Sequence, residues 1–144
     1  MDFRSDPEKH QLLIEELRSV LEDQGYRVLS ADGIEGVPPV RRLHNDGYGD
    51  QEDKAPDIYA VDDQEGRYII GEAKTGNNDF ESDHALTQYN VFLDQVDGST
   101  GRQAQLYVIV PSSKVPEFNS LITHYIHREY WENIVLVSSK TVAD

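Results

Sequence analysis

Apolar residues recur at helical spacing in three stretches of the chain and crowd into five short β-rich runs between them, which predicts helices packed on a sheet. In residues 7–24, PEKHQLLIEELRSVLEDQ, Leu13, Leu17, Val20 and Leu21 fall on one stripe. Asp6 is placed to cap this helix, Pro7 to open it and Gly25 to stop it. YRVLSA then reads as a strand. From Asp32 to Ala55 periodicity fades into Gly, Pro, Asn and Asp, a connection long enough to serve substrate or to be partly disordered. DIYAV and RYIIGEAK, joined by the polar DDQEG, read as a β-hairpin. Residues 84–97 return to helix, with Ala85, Tyr89, Phe92, Leu93 and Val96 on one face and Gly98 at the end. AQLYVIV is continuously apolar, as a strand covered on both faces would be, and Pro111 closes it. A helix from Pro116 to about Tyr130 and the strand NIVLV complete the order α-β-β-β-α-β-α-β, an α/β fold with a central mixed sheet flanked by helices.

With 144 residues the expectation is one domain, 1–144, carrying its long loop at about 31–56. No apolar run reaches the ~18 to 20 residues of a membrane span, and MDFRSDPEKH has no signal-like apolar segment. The absence of cysteine excludes disulfides and thiolate metal sites, and a cytoplasmic location is expected. The net charge of −14 changes the picture most, because a protein that grips nucleic acid ordinarily carries a basic footprint. A carboxylate-rich surface is what a protein of concentrated salt would carry, where repulsion is screened within about 3 Å at 1 M. A basic partner that brings the substrate is the other way to reconcile the charge with such a role.

The chemistry concentrates in the hairpin. Side chains two apart on a strand share a face, so Glu72 and Lys74 point together while Ala73 points away. Asp57 falls opposite Gly71 and Glu72 once the turn closes at about 62–66. Two carboxylates so placed repel unless a cation sits between them, and a hard divalent ion with oxygen ligands is the common solution. Mg²⁺, with Mn²⁺ as its substitute, would leave room for a phosphate oxygen and a water that Lys74 orients, deprotonates or complements electrostatically. The plain alternative is a polar strand face with one cross-strand ion pair, worth less than about 1 kcal/mol if exposed.

Pro56-Asp57 followed after a hairpin by Glu72-Ala73-Lys74 resembles the PD-(D/E)XK nuclease superfamily, the restriction-endonuclease-like fold that includes Holliday-junction resolvases. The resemblance covers about residues 8–110. It implies Asp57, Glu72 and the Ala73 carbonyl as metal ligands, Lys74 as the residue serving the water, DNA ahead of RNA as the partner, and a homodimer as in resolvase-like members. It also implies an acid on the first helix. Glu16 borders the apolar stripe while Glu15 projects away, so Glu16 is the candidate, although the resolvase-like position falls nearer Ile14. Gln88, on the helix after the Glu-x-Lys strand, matches a glutamine that some members use to hold the site or a phosphate; a surface glutamine is the alternative.

Arg41, Arg42 and His44 form a compact basic cluster and are candidate phosphate contacts, with His84 a further substrate-binding candidate. HYIHREYW offers aromatics for stacking on bases, but Tyr125 and Ile126 continue the stripe of Leu121 and Ile122 and read as core. No zinc signature is present, and HNDGYGDQED does not match calcium-loop spacing. A nuclease-fold module that binds or assembles without cutting, and a nuclease active only with a basic partner, both remain compatible with the sequence.

Overall fold

A computed structural model of the chain describes residues 3–40, 56–77, 89, 92–93, 95–126 and 128–144. Five strands, β1 (Arg27–Ala31), β2 (Ile58–Asp62), β3 (Arg67–Ala73), β4 (Gln105–Val110) and β5 (Ile134–Ser138), form one sheet in the order of the chain. β1, β2 and β3 pair antiparallel, whereas β4 and β5 add in parallel. Helices α1 (Asp6–Asp23) and α2 (Val115–Tyr125) flank the sheet. The architecture is α/β, with a five-stranded mixed sheet between helices.

Strand alternation divides the core in two. Leu106, Val108 and Val110 point to the face covered by Tyr89, Phe92, Leu93 and the α2 residues Phe118, Leu121 and Ile122. Tyr107 and Ile109 point to the other face, against Leu13, Ile14, Leu17 and Leu21 of α1. Every residue from Leu106 to Val110 is buried, as the unbroken apolar run predicts for a strand covered on both sides. Gly71 lets α1 approach closely, because a Cβ there would stand 3.0 Å from both Leu17 Cδ2 and Ile58 Cβ. Among the described residues no helix is long and apolar enough to cross a membrane.

Several boundaries move. Ser5, not Asp6, caps α1: its hydroxyl accepts the Glu8 N–H while the Glu8 carboxylate reaches back to the Ser5 N–H, a reciprocal capping box. Ile14 joins the buried stripe, and Val20 lies at its margin. After Leu93 the expected helix does not continue to residue 97. Gln95 to Asp97 are non-helical, Val96 bridges to Gln103, and Val96 is 49% exposed instead of core-facing. α2 stops at Tyr125 because Ile126 turns extended, at ψ 132°, to bury its side chain; a 3₁₀ turn, Arg128–Asn133, leads to β5. Most of the long loop, with Arg41, Arg42 and His44, lies outside the described residues, as do His84, Ala85 and Gln88.

Candidate active site

The hairpin register decides which side chains meet. Ile58 pairs with Gly71, so Asp57 and Glu72 face each other one step further out, at the open end. Asp62 holds the opposite end: its Oδ1 accepts the Gln64 and Glu65 N–H groups at 3.1 and 3.2 Å. Lys74 donates its backbone N–H to Ile109 O on β4, at 3.0 Å. The Ala73 amide therefore faces the β2 side, where it donates to Asp57 Oδ2 at 2.8 Å. In an extended residue the C=O follows the N–H, so the Ala73 carbonyl emerges beside Asp57. Asp57 completes the link by donating its own N–H to Glu72 Oε1 at 3.1 Å.

Alternation carries Glu72 and Lys74 to the face of Ile70, which packs with Tyr89. Glu72 is 2% exposed and Lys74 7%; their charged ends lie 3.2 Å apart, and Lys74 Nζ stands 5.6 Å from the centroid of the Tyr89 ring. This excludes a solvated strand face. Burial, and then the neighbouring Asp57, push the Glu72 carboxyl up to about 8 even though Lys74 pulls the other way. Near neutral pH the site thus resists holding both carboxylates ionised, because Glu72 is buried and stands beside Asp57.

A residue that sequence reasoning missed completes the cluster. His10 Nε2 lies 3.3 Å from Asp57 Oδ2, and that hydrogen bond, opposed by partial burial and aided by the charges of Asp57 and Glu72, raises its pKa. His10 sits one turn before Ile14 and two before Leu17, on the sheet-facing stripe of α1. Extending that stripe by one polar position toward the N-terminus was the available signal.

Glu16 is not brought to this group. Its carboxylate accepts from Ser139 Oγ (2.6 Å), from the Lys140 N–H (2.7 Å) and from Thr141, tying α1 to the segment after β5. Burial tends to raise its pKa, but these bonds outweigh that and lower it. Helix phase put Glu16 on the border of the buried face correctly; the sheet element beside it is the end of β5, not the hairpin. In HYIHREYW, Ile126 is buried but Tyr125 is 56% exposed, and Trp131 donates Nε1–H to Ile126 O while Arg128 lies over its ring. α2 leaves the C-terminal end of β4 and runs back toward the start of β5, which carries these aromatics away from Asp57 and Glu72.

Among the described residues, no group of three or more His, Cys, Asp and Glu side chains forms a ready metal cage. The donors beside one another are the Asp57 and Glu72 carboxylates, and extended geometry puts the Ala73 carbonyl on the same side, all hard oxygens. That set fits Mg²⁺ or Mn²⁺, which keep several waters and need few protein ligands. Comparison of the chain with protein-family models, with characterised proteins and with solved structures returns no match.

Proposed function

We propose that the chain is a metal-dependent nuclease of the restriction-endonuclease-like fold, hydrolysing phosphodiester bonds with DNA as the preferred substrate. The observation that carries this reading is the convergence of Asp57, Glu72 and Lys74, from adjoining strands, in a place where burial makes an unbalanced carboxylate costly. Asp57, Glu72 and the Ala73 carbonyl would hold Mg²⁺. The ion, when bound, supplies Lewis acidity toward a phosphoryl oxygen and lowers the pKa of a water.

The chain's own groups supply the rest. Lys74 places a cation next to Glu72, where it complements the charge that builds on a phosphoryl oxygen and orients the attacking water. The Ala73 N–H pins the Asp57 carboxylate, and the Asp57 N–H pins Glu72, so both acids are oriented before substrate arrives. His10 buttresses Asp57 from α1. The test is a panel of duplex, single-stranded, flap, four-way-junction and RNA substrates with Mn²⁺ at low and high salt. Divalent-dependent cutting of at least one is expected, and none cut under any condition removes the enzymatic reading.

A second reading is a nuclease-fold module that binds without cutting. It is favoured by the closure of the cluster on itself: Glu72 is already paired with Lys74, and Asp57 with His10 and the Ala73 amide. Failure to bind Mg²⁺ or Mn²⁺ in calorimetry would select it.

A further inference from the structure

The cations at the two ends of the hairpin differ in partner. At the turn end of the β2–β3 hairpin they are arginines matched to acids: Arg27 donates twice to Asp63 at 3.0 Å, Arg102 pairs with Glu65, and Arg67 lies 3.9 Å from Asp62. At the opposite end, about 17 Å away along five strand residues, five described acids are engaged within the protein. Asp6 accepts from Asn77 Nδ2 at 2.7 Å, Glu8 closes the capping box, Glu16 holds residues 139–141, and Asp57 and Glu72 hold each other. Lys74 at this end pairs with Glu72, whereas Lys9, Lys114 and Lys140 make no ion pair among the described residues, in contrast to the matched arginines.

Their positions follow from the fold. β3, β4 and β5 run parallel, so Ala73, Val110 and Ser138 end on one edge of the sheet. Lys140 follows β5 directly, with its backbone N–H held by Glu16. Lys114 follows β4, and its stem lies over Gly76, two residues beyond Lys74. A Cβ at Gly76, where φ is +86°, would stand 2.9 to 3.1 Å from Lys114 Cγ, Cδ and Cε. On α1, Gln11 reaches Gly33 and His10 reaches Asp57, so the next 100° step turns Lys9 to the β4 side of His10. Lys9 is only 8% exposed. The stem is packed against the protein, and no acid among the described residues pairs with the amine.

We propose that Lys9, Lys114 and Lys140 form a phosphate track that carries a nucleic-acid backbone across the cluster of Asp57, Glu72 and Lys74. The proposal rests on the phosphodiester reading and specifies how so acidic a chain holds its polyanion. From β3 to β5 the edge spans about 10 Å, close to three base steps of about 3.4 Å on one strand. Asp6, Glu8, Glu16, Asp57 and Glu72 are engaged within the protein, and among the described residues the three amines have no acid partner.

The experiment is binding of a fluorescent DNA duplex to the full chain by anisotropy, in EDTA and in Ca²⁺, across a salt series. Lys114→Ala and Lys140→Ala should each weaken binding several-fold and flatten the log–log salt slope by about 0.9. Lys9→Met, which keeps the buried stem, should do the same. If that variant does not fold, the Lys114 and Lys140 pair and their double variant decide alone. Arg27→Ala and Arg102→Ala at the other end should leave affinity and slope unchanged. Unchanged binding in the lysine variants, equal losses in the arginine variants, or no duplex binding by the unmodified chain overturns the track. A chain that binds with these slopes but never cuts upholds the track and defeats the nuclease reading; a chain that cuts with no lysine dependence does the reverse.

Discussion

Asp57 donates its backbone N–H to Glu72 Oε1 at 3.1 Å, so the two acids are joined by a hydrogen bond and not only by proximity. The same Asp57 accepts the Ala73 N–H on its Oδ2, which makes its side chain structural as well as chemical. The two roles separate by substitution. Asp57→Asn keeps an acceptor for Ala73 but loses the charge, and should retain its fold while losing roughly 10²-fold or more of divalent-dependent cutting. Asp57→Ala should lose as much activity and also about 1–3 kcal/mol of stability, because it orphans a half-buried amide. Urea titration beside a cleavage assay separates them; an Asp57→Asn that cuts normally removes Asp57 from the metal set.

Lys74 poses a different problem, since its removal leaves Glu72 buried without its cation. Lys74→Ala should abolish detectable cutting, and the protein should remain folded because Glu72, with its carboxyl pushed up to about 8, already holds its proton at pH 7 and leaves no buried charge behind. Circular dichroism at pH 7 with a cleavage assay on the same sample checks both halves. Retained cutting would take the water-serving role from Lys74.

The corrected position of Glu16 makes a prediction opposite to that of a catalytic acid. Its carboxylate accepts from Ser139, Lys140 and Thr141, so Glu16→Ala should cost about 1–3 kcal/mol and leave the rate per folded molecule unchanged. Loss of activity in a variant of unchanged stability would return Glu16 to the site.

The contrast between Asp57 and Glu16 marks what a sequence can and cannot disclose here. The hairpin was legible because a two-residue period and a short polar turn leave one register in which the apolar positions face the core, and that register places Asp57 against Glu72. For α1 the sequence gives phase but not what stands opposite each turn, and one polar residue on the buried stripe looks much like another. Hence helix phase makes Glu16 a candidate although its neighbour is the end of β5, and does not single out His10. Caps and ends depend on single hydrogen bonds: Ser5 outcompeted Asp6 through its exchange with Glu8, and α2 stopped early for the burial of Ile126. Net charge was the least informative quantity, because it does not say which acids are already engaged.

Gly71 tests the packing that brings α1, and with it His10, to the hairpin. A Cβ there would stand 3.0 Å from Leu17 Cδ2 and from Ile58 Cβ, and all three positions are buried. Gly71→Ala should therefore destabilise by about 1–3 kcal/mol through overpacking. Its cutting should fall by more than its unfolded fraction explains, as α1 is pushed from the sheet. Full stability in urea would mean that the helix yields without cost.

The raised Glu72 pKa gives the last prediction a sign. With its carboxyl at about 8 in the fold and near 4.5 when unfolded, the native state holds a proton that the unfolded chain has released across that window. Stability contributed by Glu72 is complete below about 4.5 and falls as pH rises toward 8, by at most about 1.4 kcal/mol per pH unit for one proton. His10, raised by its bond to Asp57, adds a loss of the same sign above its usual 6.5. In EDTA the protein should lose stability from pH 5 to 8, with a shallower slope in Glu72→Gln. Saturating Mg²⁺ favours the ionised carboxylates, so it should stabilise more at pH 8 than at pH 5. Thermal melts of both proteins across that range, with and without Mg²⁺, read the difference directly. Parallel slopes for the two proteins would mean that Glu72 does not hold its proton in the fold, and Mg²⁺ stabilisation independent of pH would place the ion elsewhere.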